Sequence, residues 1–246
     1  MHAGPPRARP GPSRGYTPVL PLCYHIPMKG FFIVLEGPDR SGKSTQAKLL
    51  AQWLRSRRRK VLLTREPGGT RLSEKLREIL LDPKEQIEPL TELFLYETSR
   101  AKHTLSIILP ALASGKVVVS DRFTMSTTAY QGYGRRLPVA TVETLNKIAT
   151  CGIAPDLTVV LRVPGRIFEE RERLAQKLFG ADRMERESAG FRRRVNGAYK
   201  VLAARPGVVS IDAARGIEEI HAEIKSLVAA RLGLKEGRAR AASGKG

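Results

Sequence analysis

Short apolar runs alternate along this chain with stretches in which apolar residues recur at helical spacing. Apolar runs of this length are typical of strands that are buried on both faces of a sheet. The predicted strands are Phe31–Glu36, Lys60–Thr64, Val117–Ser120, Leu157–Arg162 and Val208–Ile211. The predicted helices are Lys43–Arg58, Leu72–Leu81, Pro89–Ser114, Val139–Thr150, Arg166–Lys177, Ala189–Ala204 and Ile217–Leu232. This alternation predicts an α/β fold with a five-stranded parallel sheet and helices on both faces.

The first predicted strand runs directly into the pattern Gly37-x-x-x-x-Gly42-Lys43-Ser44, and a predicted helix follows it. This is the phosphate-binding (P-loop) motif, whose backbone N–H groups and lysine hold the phosphates of a nucleotide while the Ser hydroxyl binds Mg²⁺. A chance match arises in about one protein of this length in a hundred, and the strand-to-helix context argues against chance. The predicted ATP-binding residues are Gly37, Pro38, Asp39, Arg40, Ser41, Gly42, Lys43, Ser44 and Thr45.

Polar segments also follow the second and third predicted strands. Residues 65–70 read Arg-Glu-Pro-Gly-Gly-Thr, and Asp121 and Arg122 end the apolar run before them. Carboxyl ends of parallel strands meet at one edge of a sheet, where ligands bind. We therefore expect Asp121 to join Ser44 as a Mg²⁺ ligand and Arg122 to clamp a phosphate. Taken singly, an acid after a strand and a Pro-Gly turn are also ordinary structural features.

The net charge is +19 and the isoelectric point about 10.5, which raises the question of nucleic-acid binding. Because the cations are spread over the whole chain, we predict salt-sensitive nonspecific association and no specific nucleic-acid partner. The two cysteines, without a CxxC pattern or a histidine cluster, argue against a disulfide framework or a zinc site. The few cysteines favour a reducing, cytoplasmic compartment, and because no apolar stretch reaches the ~18 residues of a membrane span we expect no membrane partner.

Composition divides the chain into three parts. Residues 1–28 are rich in Pro, Gly and Arg and contain no acidic residue, which predicts a disordered extension. Met28 lies three residues before the first predicted strand, and we hypothesise that translation starts there. Residues 29–234 form the predicted catalytic domain, with a lid at about 171–187, and residues 235–246 form a predicted disordered tail.

Several motifs occur in a fixed order: LEGPDRSGKST, TREPGGT followed by SEKLREILL, SDRF, STTAYQG, PDLTVVLRV and DRMERES. Together they resemble the thymidylate kinase family over about Lys29–Leu232. The resemblance implies a P-loop nucleoside-monophosphate-kinase fold with a small mobile lid. It also implies transfer of the γ-phosphoryl group of ATP to dTMP with Mg²⁺, in dTTP biosynthesis, by an enzyme that is usually a homodimer.

The resemblance assigns roles to residues of the acceptor site. Asp39 lies near the sugar and phosphate of dTMP, and Tyr96 takes the place of a phenylalanine that stacks on thymine. The remaining expected contacts are the loop residues Glu66 and Pro67, the phosphate-binding Arg77, Arg100 and Arg122, the base-reading Ser126 and Thr127, and Tyr130 and Gln131 beside the sugar and base. Without the resemblance, most of these would be ordinary packing or surface positions.

Members of this family differ in whether the catalytic arginine comes from the phosphate loop or from the lid. This chain has Arg40 in the loop, and its lid contains Arg171, Arg173 and Arg183. We predict that Arg40 stabilises the transition state and that a lid arginine assists. The predicted catalytic set is Asp39, Arg40, Lys43 and Arg122.

Three alternatives stay open at the level of sequence. The first is a kinase for another nucleoside monophosphate or for a deoxynucleoside, which the Tyr96 pocket would distinguish. The second is a P-loop ATPase that binds nucleic acid, which only the charge favours. The third is a noncatalytic nucleotide-binding regulator, against which the intact Lys43, Asp39 and Asp121 argue.

Overall fold

The protein was analysed as a computed structural model that describes residues 28–164, 167, 168, 170, 171, 174 and 181–234. The two predicted tails lie outside the described residues, apart from Met28, as do parts of the predicted helix Arg166–Lys177 and of the predicted lid. Within the described residues, no helix has both the length and the apolar character needed to cross a membrane.

Five parallel strands form one sheet, as the sequence predicts. They are β1 (Phe31–Glu36), β2 (Val61–Arg65), β3 (Val117–Asp121), β4 (Leu157–Arg162) and β5 (Val208–Asp212). Their order across the sheet is β2-β3-β1-β4-β5, so β1 and β3 lie in the interior next to each other. The carboxyl ends of β1, β2 and β3 therefore lie side by side at one edge.

Helices cover both faces of the sheet. They are α1 (Lys43–Ser56), α2 (Arg71–Leu81), α3 (Pro89–His103), α4 (Leu109–Ala113), α5 (Thr124–Thr127), α6 (Val139–Ala149), α7 (Ala189–Leu202) and α8 (Ile217–Leu232). Two π-helical segments add to these, Thr104–Ile108 between α3 and α4 and Thr128–Gly134 after α5.

The strand β1 is the centre of the core, and its residues 32–35 are at most 1% exposed. Ile33 and Leu35 pack in the cluster that includes residues of α1 and α8. Phe32 and Val34 pack in the cluster on the opposite face, with residues of α4 and β3. Burial on both faces explains the continuous apolar run, because neither side of this strand meets water.

Two elements differ from the sequence-based expectation. The predicted helix Pro89–Ser114 is interrupted by the π-helical segment Thr104–Ile108, directly before the turn that contains Pro110. A proline ring clashes with the backbone of the preceding turn, and widening that turn accommodates it. The helical segment from Thr124 to Gly134 was not predicted.

Candidate active site

The phosphate-binding loop connects β1 to α1 and takes a conformation that depends on its glycines. Gly37 has φ 138°, and a Cβ atom there would lie 2.5 Å from the carbonyl oxygen of Leu161. Gly42 has φ 92° and precedes the first residue of α1. A side chain at either position would be strained, and at Gly37 it would also collide with β4. The two glycines of the motif thus allow the tight loop at the positive end of α1.

Lys43 is buried beneath this loop. The residue is 5% exposed, and Nζ donates a 2.6 Å hydrogen bond to the carbonyl oxygen of Pro38. Burial and the nearby Arg122 cation lower the pKa of Lys43 to about 8, against the opposing effect of Asp121 and Asp39. An anion bound in the loop would favour the charged form, because it would offset both costs.

Ser44 and Asp121 lie together at the ends of the loop and of β3. The Ser44 hydroxyl donates a hydrogen bond to Asp121 Oδ2. The other carboxylate oxygen, Oδ1, is buried and accepts no hydrogen bond in the described part of the protein. A carboxylate with one free oxygen beside a hydroxyl fits Mg²⁺, which typically takes one or two protein oxygens and completes its shell with phosphate oxygens and water.

Arg122 is the most connected side chain of the site. It follows β3 with φ 74°. Nη1 donates to Gly37 O at 3.1 Å and to Ser126 Oγ at 2.9 Å, while Nη2 forms an ion pair with Asp39. The Tyr130 ring lies under the guanidinium, with 5.2 Å from Cζ to the ring centroid. These contacts fix the orientation of the cation at the mouth of the loop.

Asp39 is held between Arg122 and Tyr130. The Tyr130 hydroxyl donates a 2.6 Å hydrogen bond to Asp39 Oδ2. Burial raises the pKa of Asp39, but Arg122, Lys43 and the Tyr130 hydroxyl together lower it more, so the pKa lies below its usual range. Asp39 is therefore ionised at neutral pH and keeps Arg122 in place.

A buried network behind Arg122 was not predicted from sequence. Glu36 is fully buried at the end of β1 and accepts hydrogen bonds from Phe123 N at 2.8 Å, Ser126 N at 3.1 Å and Ser126 Oγ at 2.7 Å. The Tyr199 hydroxyl of α7 donates to Glu36 Oε2 at 3.1 Å and accepts from Arg122 Nη1 at 3.2 Å. The Ser126 hydroxyl, which the family resemblance assigned to the base edge, thus points to this network.

A cavity of about 570 Å³ opens beside Arg122. Every residue predicted to bind the acceptor nucleotide lines it: Asp39, Glu66, Pro67, Arg77, Tyr96, Arg100, Arg122, Ser126, Thr127, Tyr130 and Gln131. The sequence did not point to four further lining residues, Leu81, Phe123, Asp182 and Met184. All four nevertheless belong to motifs that the sequence analysis singled out: Leu81 ends SEKLREILL, Phe123 ends SDRF, and Asp182 and Met184 belong to DRMERES.

Arg100 forms part of the wall of this acceptor cavity and is itself 3% exposed. Four of its five N–H groups are already used by the protein. They donate to Glu66 Oε2, Glu97 Oε1 and Asn146 Oδ1, each at 2.8 Å, and to Phe123 O at 3.2 Å. Arg100 is therefore held rigidly and has little capacity left for a ligand phosphate, which the resemblance had assigned to it.

A larger cleft of about 1360 Å³ lies over the phosphate loop. It contains Arg40, Gly42, Lys43, Ser44, Thr45, Asp121 and Arg171, all of which the sequence had singled out. The cleft and the acceptor cavity have five lining residues in common: Asp39, Glu66, Arg77, Arg122 and Asp182. Two nucleotides in these spaces would therefore meet at Asp39, Arg77 and Arg122.

The predicted lid arginines are placed differently from one another. Arg171 donates to Arg40 O at 3.4 Å and to Ala213 O at 3.0 Å, and it lines the cleft. Arg173 lies outside the described residues. Arg40 of the loop forms a 2.5 Å ion pair with Glu185 of the predicted lid.

Arg183, one of the three predicted lid arginines, lies away from the cleft. Its Nη1 pairs with Glu92 at 2.7 Å, and its Nε donates to Leu80 O at 2.8 Å. It borders neither the cleft nor the acceptor cavity. Arg183 thus pairs with the buried carboxylate of Glu92 and links the predicted lid segment to α2 and α3.

Glu92 is the centre of that anchor. It is fully buried on α3 and accepts from Gln131 Nε2 at 2.8 Å, from Arg135 Nε at 3.0 Å and from Arg135 Nη2 at 2.7 Å, in addition to Arg183. Burial raises the pKa of Glu92, but the Arg135 and Gln131 hydrogen bonds and the two cations lower it more, leaving it below its usual range. A glutamate on a helix gives no local signal for this role.

The comparisons with known proteins agree with this arrangement. The family model described as thymidylate kinase matches residues 35–224. The chain is 48% identical to a thymidylate kinase of Pelotomaculum thermopropionicum, over 80% of this chain and 92% of that protein. It is 46% identical to a thymidylate kinase of Gloeobacter violaceus, over 80% of this chain and 93% of that protein.

A solved structure is similar in fold as well. The crystal structure of thymidylate kinase from Ehrlichia chaffeensis aligns with a TM-score of 0.66 at 31% identity, over 81% of this chain and 98% of that one. The match of the family model to most of the chain, together with relatives above 45% identity, shows that this chain belongs to the thymidylate kinase family.

Proposed function

We propose that the protein transfers the γ-phosphoryl group of ATP to dTMP, giving ADP and dTDP, with Mg²⁺ as the metal and in the cytoplasm. One observation carries the proposal: the cleft over the phosphate loop and the acceptor cavity meet at Asp39, Arg77 and Arg122. ATP in the cleft and dTMP in the cavity would place donor and acceptor phosphates against the same two arginines. Family membership supports the choice of substrates.

The chemistry needs no general base. The acceptor is a phosphate oxygen whose second pKa is about 6, so it is ionised near neutrality. The enzyme's task is to bring two anions into line and to stabilise the charge of the transferred group. Arg122 and Arg77 neutralise the acceptor side, while Lys43 and the phosphate loop hold the donor.

Mg²⁺ would be held through Ser44 and Asp121, with its remaining ligands from phosphate and water. When bound, it supplies positive charge to the phosphate oxygens of ATP. Asp121 Oδ1, buried and without a hydrogen-bond partner among the described residues, is the atom best placed to receive it.

The decisive experiment is an ADP-release assay with ATP, Mg²⁺ and a panel of acceptors: dTMP, dUMP, UMP and thymidine. We expect dTMP to give the highest kcat/KM, because a cavity shaped by Tyr96, Thr127 and Gln131 favours the thymine base. Higher efficiency with another member of the panel would replace the proposed substrate. ADP release that required DNA or RNA and no acceptor would identify an ATPase.

The lowered pKa of Lys43 predicts how ATP affinity depends on pH. In the free enzyme Lys43 loses its proton as the pH rises through about 8, whereas bound phosphates favour the charged lysine. Binding above this pKa must therefore take up a proton, and Kd rises about tenfold per pH unit. Calorimetric titration with ATP measures this rise when it is repeated about one pH unit below the pKa, at the pKa, and about one unit above it.

The variant Lys43→Arg provides the control for that titration. Its guanidinium stays charged over the whole range, so its affinity, though weaker, should not change with pH. A wild-type Kd that is constant from neutral pH to two units above would contradict a lowered pKa in the free enzyme.

Arg40 is the arginine that we propose stabilises the transition state. Its φ is 60°, a conformation that glycine adopts readily, so Arg40→Gly removes the side chain without straining the loop. We expect kcat to fall at least about 10³-fold, the lower end of the range known for such arginines, while KM for dTMP changes little. Steady-state kinetics of Arg40→Gly, Arg171→Ala and Arg173→Ala test this. Near-normal turnover in Arg40→Gly, with loss in Arg173→Ala, would assign the role to the lid.

We also propose that the protein is a homodimer joined through α2 and α3. Several large apolar side chains on these elements and the π-helical turn after them are 44–53% exposed: Leu72, Ile79, Leu90, Phe94 and Leu105. Such a concentration of exposed apolar area is typical of an interface between subunits.

Replacing Phe94 by Asp should therefore produce a monomer. A charge at the centre of an apolar interface is left without a partner, which costs several kcal/mol. Light scattering coupled to gel filtration should show the mass fall from twice the chain mass to 27.1 kDa. Val201→Asp on α7, a residue 58% exposed, should leave the dimer intact. A wild-type protein that is already monomeric at micromolar concentration would refute the proposal.

A further inference from the structure

Cations that are far apart in sequence meet at the edge of the sheet opposite the active site. Lys60 and Lys116 directly precede β2 and β3, and Lys29 lies two residues before β1. These three strands are neighbours, and their first residues are in register: Val61 pairs with Val117, and Val117 with Phe31. The three lysines therefore lie side by side at the amino edge.

The end of α1 adds four arginines to the same edge. Arg55 is in the last turn of α1, and Arg57, Arg58 and Arg59 form the turn that leads into β2, with Arg59 N bonded to Leu54 O at 3.1 Å. Arg55, Arg58, Arg59 and Lys60 are exposed. No ion pair among the described residues involves these four. We call Lys29, Arg55, Arg57, Arg58, Arg59, Lys60 and Lys116 the basic pole.

Carboxylates are absent from the segment that supplies five of the seven cations of the basic pole, and Asp156, at the start of β4 beside β1, accepts a 2.8 Å hydrogen bond from Phe32 N. From Arg40 to Arg65 the chain contains nine Lys and Arg residues and no Asp or Glu. One or two cations at the end of a helix are explained by the helix dipole. The helix dipole does not explain the basic pole, because the pole has seven cations and three of them lie at the starts of strands.

Both terminal segments continue from this side of the molecule. Met28 leads into β1, and α8, which packs beside α1, runs back from the carboxyl edge and ends at Leu232. By sequence, residues 1–28 carry Arg7, Arg9 and Arg14 without any acid, and residues 235–246 carry four cations and one acid.

We propose that the basic pole binds the phosphodiester backbone of nucleic acid without sequence preference, at a site separate from the catalytic cleft. Arginines and lysines on an exposed turn match a repeating row of phosphates, and backbone contacts of this kind carry no base readout. A lipid surface fits less well, because amphipathic membrane binding needs exposed apolar side chains. Among the described residues around the basic pole, no large apolar side chain is exposed. The Trp53 ring lies against the Arg57 guanidinium.

Fluorescence anisotropy with labelled oligonucleotides of mixed sequence, as single-stranded DNA, duplex DNA and RNA, tests the proposal on the full chain. We expect binding to all three, with log K falling linearly as log salt rises, by about 0.9 for each phosphate contact to duplex DNA. The double variant Arg58→Gln/Arg59→Gln should reduce that slope by about 2 and weaken binding at least about tenfold at 0.1 M salt.

A matched control removes the same charge elsewhere. Arg136→Gln/Arg193→Gln also replaces two exposed arginines, one of which, like Arg58, has positive φ. This control should bind oligonucleotides as the wild type does, and both double variants should keep normal kinase kinetics. Saturation with ATP and dTMP should leave oligonucleotide affinity unchanged, because the two sites lie at opposite edges.

Several outcomes would overturn the proposal. One is equal binding by the wild type and Arg58→Gln/Arg59→Gln. Another is displacement of the oligonucleotide by ATP or dTMP, which would locate it in the catalytic cleft. A third is binding to vesicles that contain phosphatidylserine without binding to any oligonucleotide, which would make the pole a lipid-binding surface. None of these results depends on which monophosphate the enzyme accepts.

Discussion

Arg122→Lys is expected to lower kcat/KM for dTMP about 10³-fold, which corresponds to about 4 kcal/mol of transition-state stabilisation. Lysine keeps the charge but cannot reproduce the planar fork that contacts Gly37 O, Ser126 Oγ and Asp39 together. The cation would no longer be fixed where the two cavities meet. Steady-state kinetics with dTMP varied at saturating ATP measures the loss, and KM for ATP should change by no more than about threefold.

Arg77→Lys is the matched comparison. Arg77 lies at the same junction, but its guanidinium makes a single hydrogen bond among the described residues, to Pro67 O at 3.1 Å. We therefore expect a loss of only about tenfold, since a lysine ammonium can replace one point contact. If Arg122→Lys were as active as Arg77→Lys while both variants melted like the wild type, the orientation of Arg122 would not matter for the reaction.

Glu92→Ala is expected to lower the free energy of unfolding by about 3–5 kcal/mol, the cost of breaking a buried ion pair. The substitution leaves Arg135 and Arg183 with cations facing a buried space, and it removes the acceptor of Gln131 Nε2. Urea unfolding at pH 7 measures the change. Because the native pKa of Glu92 is lowered, its stabilisation is present above the usual glutamate pKa and is lost as the pH falls through the native value.

Glu143→Ala gives the control on an exposed pair. Glu143 and Arg205 form an ion pair at 2.5 Å whose side chains are 41% and 44% exposed. Water screens such a pair, so its removal should cost less than about 1 kcal/mol. Equal losses in Glu92→Ala and Glu143→Ala would mean that the buried network around Glu92 does not hold the lid segment to α3.

The apolar pattern predicted every strand to within one residue at each end, since β1, β3 and β4 are buried on both faces and leave an unmistakable run. The helical segment from Thr124 was not predicted because the side chain that caps its start comes from a residue far away in sequence. Phe123 N and Ser126 N donate to Glu36, whose side chain is 87 and 90 residues away in sequence. No local propensity of a segment rich in Thr and Gly contains that information.

The same distinction holds for the site. The phosphate loop could be located because it follows a strand end whose position the fold dictates, whereas the residues around the acceptor cavity, several of them within helices, were located through the family resemblance. Glu36, Tyr199 and Glu92 were missed because each acts through partners brought together only by folding; Tyr199 and Glu36 are separated by 163 residues. The pairing of Arg183 could not be predicted for a similar reason, because sequence shows its charge but not the buried carboxylate of Glu92 beside it.

The chain has a single tryptophan, Trp53, and it lies near the end of α1 with the Arg57 guanidinium 5.8 Å from its ring centre. Its ultraviolet emission therefore reports on one place in the molecule only. A ligand that draws Arg57 away from the indole would change that emission. Nucleotides bound in the active site would lie at the opposite, carboxyl edge of the sheet, away from Trp53. Intrinsic fluorescence thus offers a label-free signal that separates docking at one end of the enzyme from catalysis at the other.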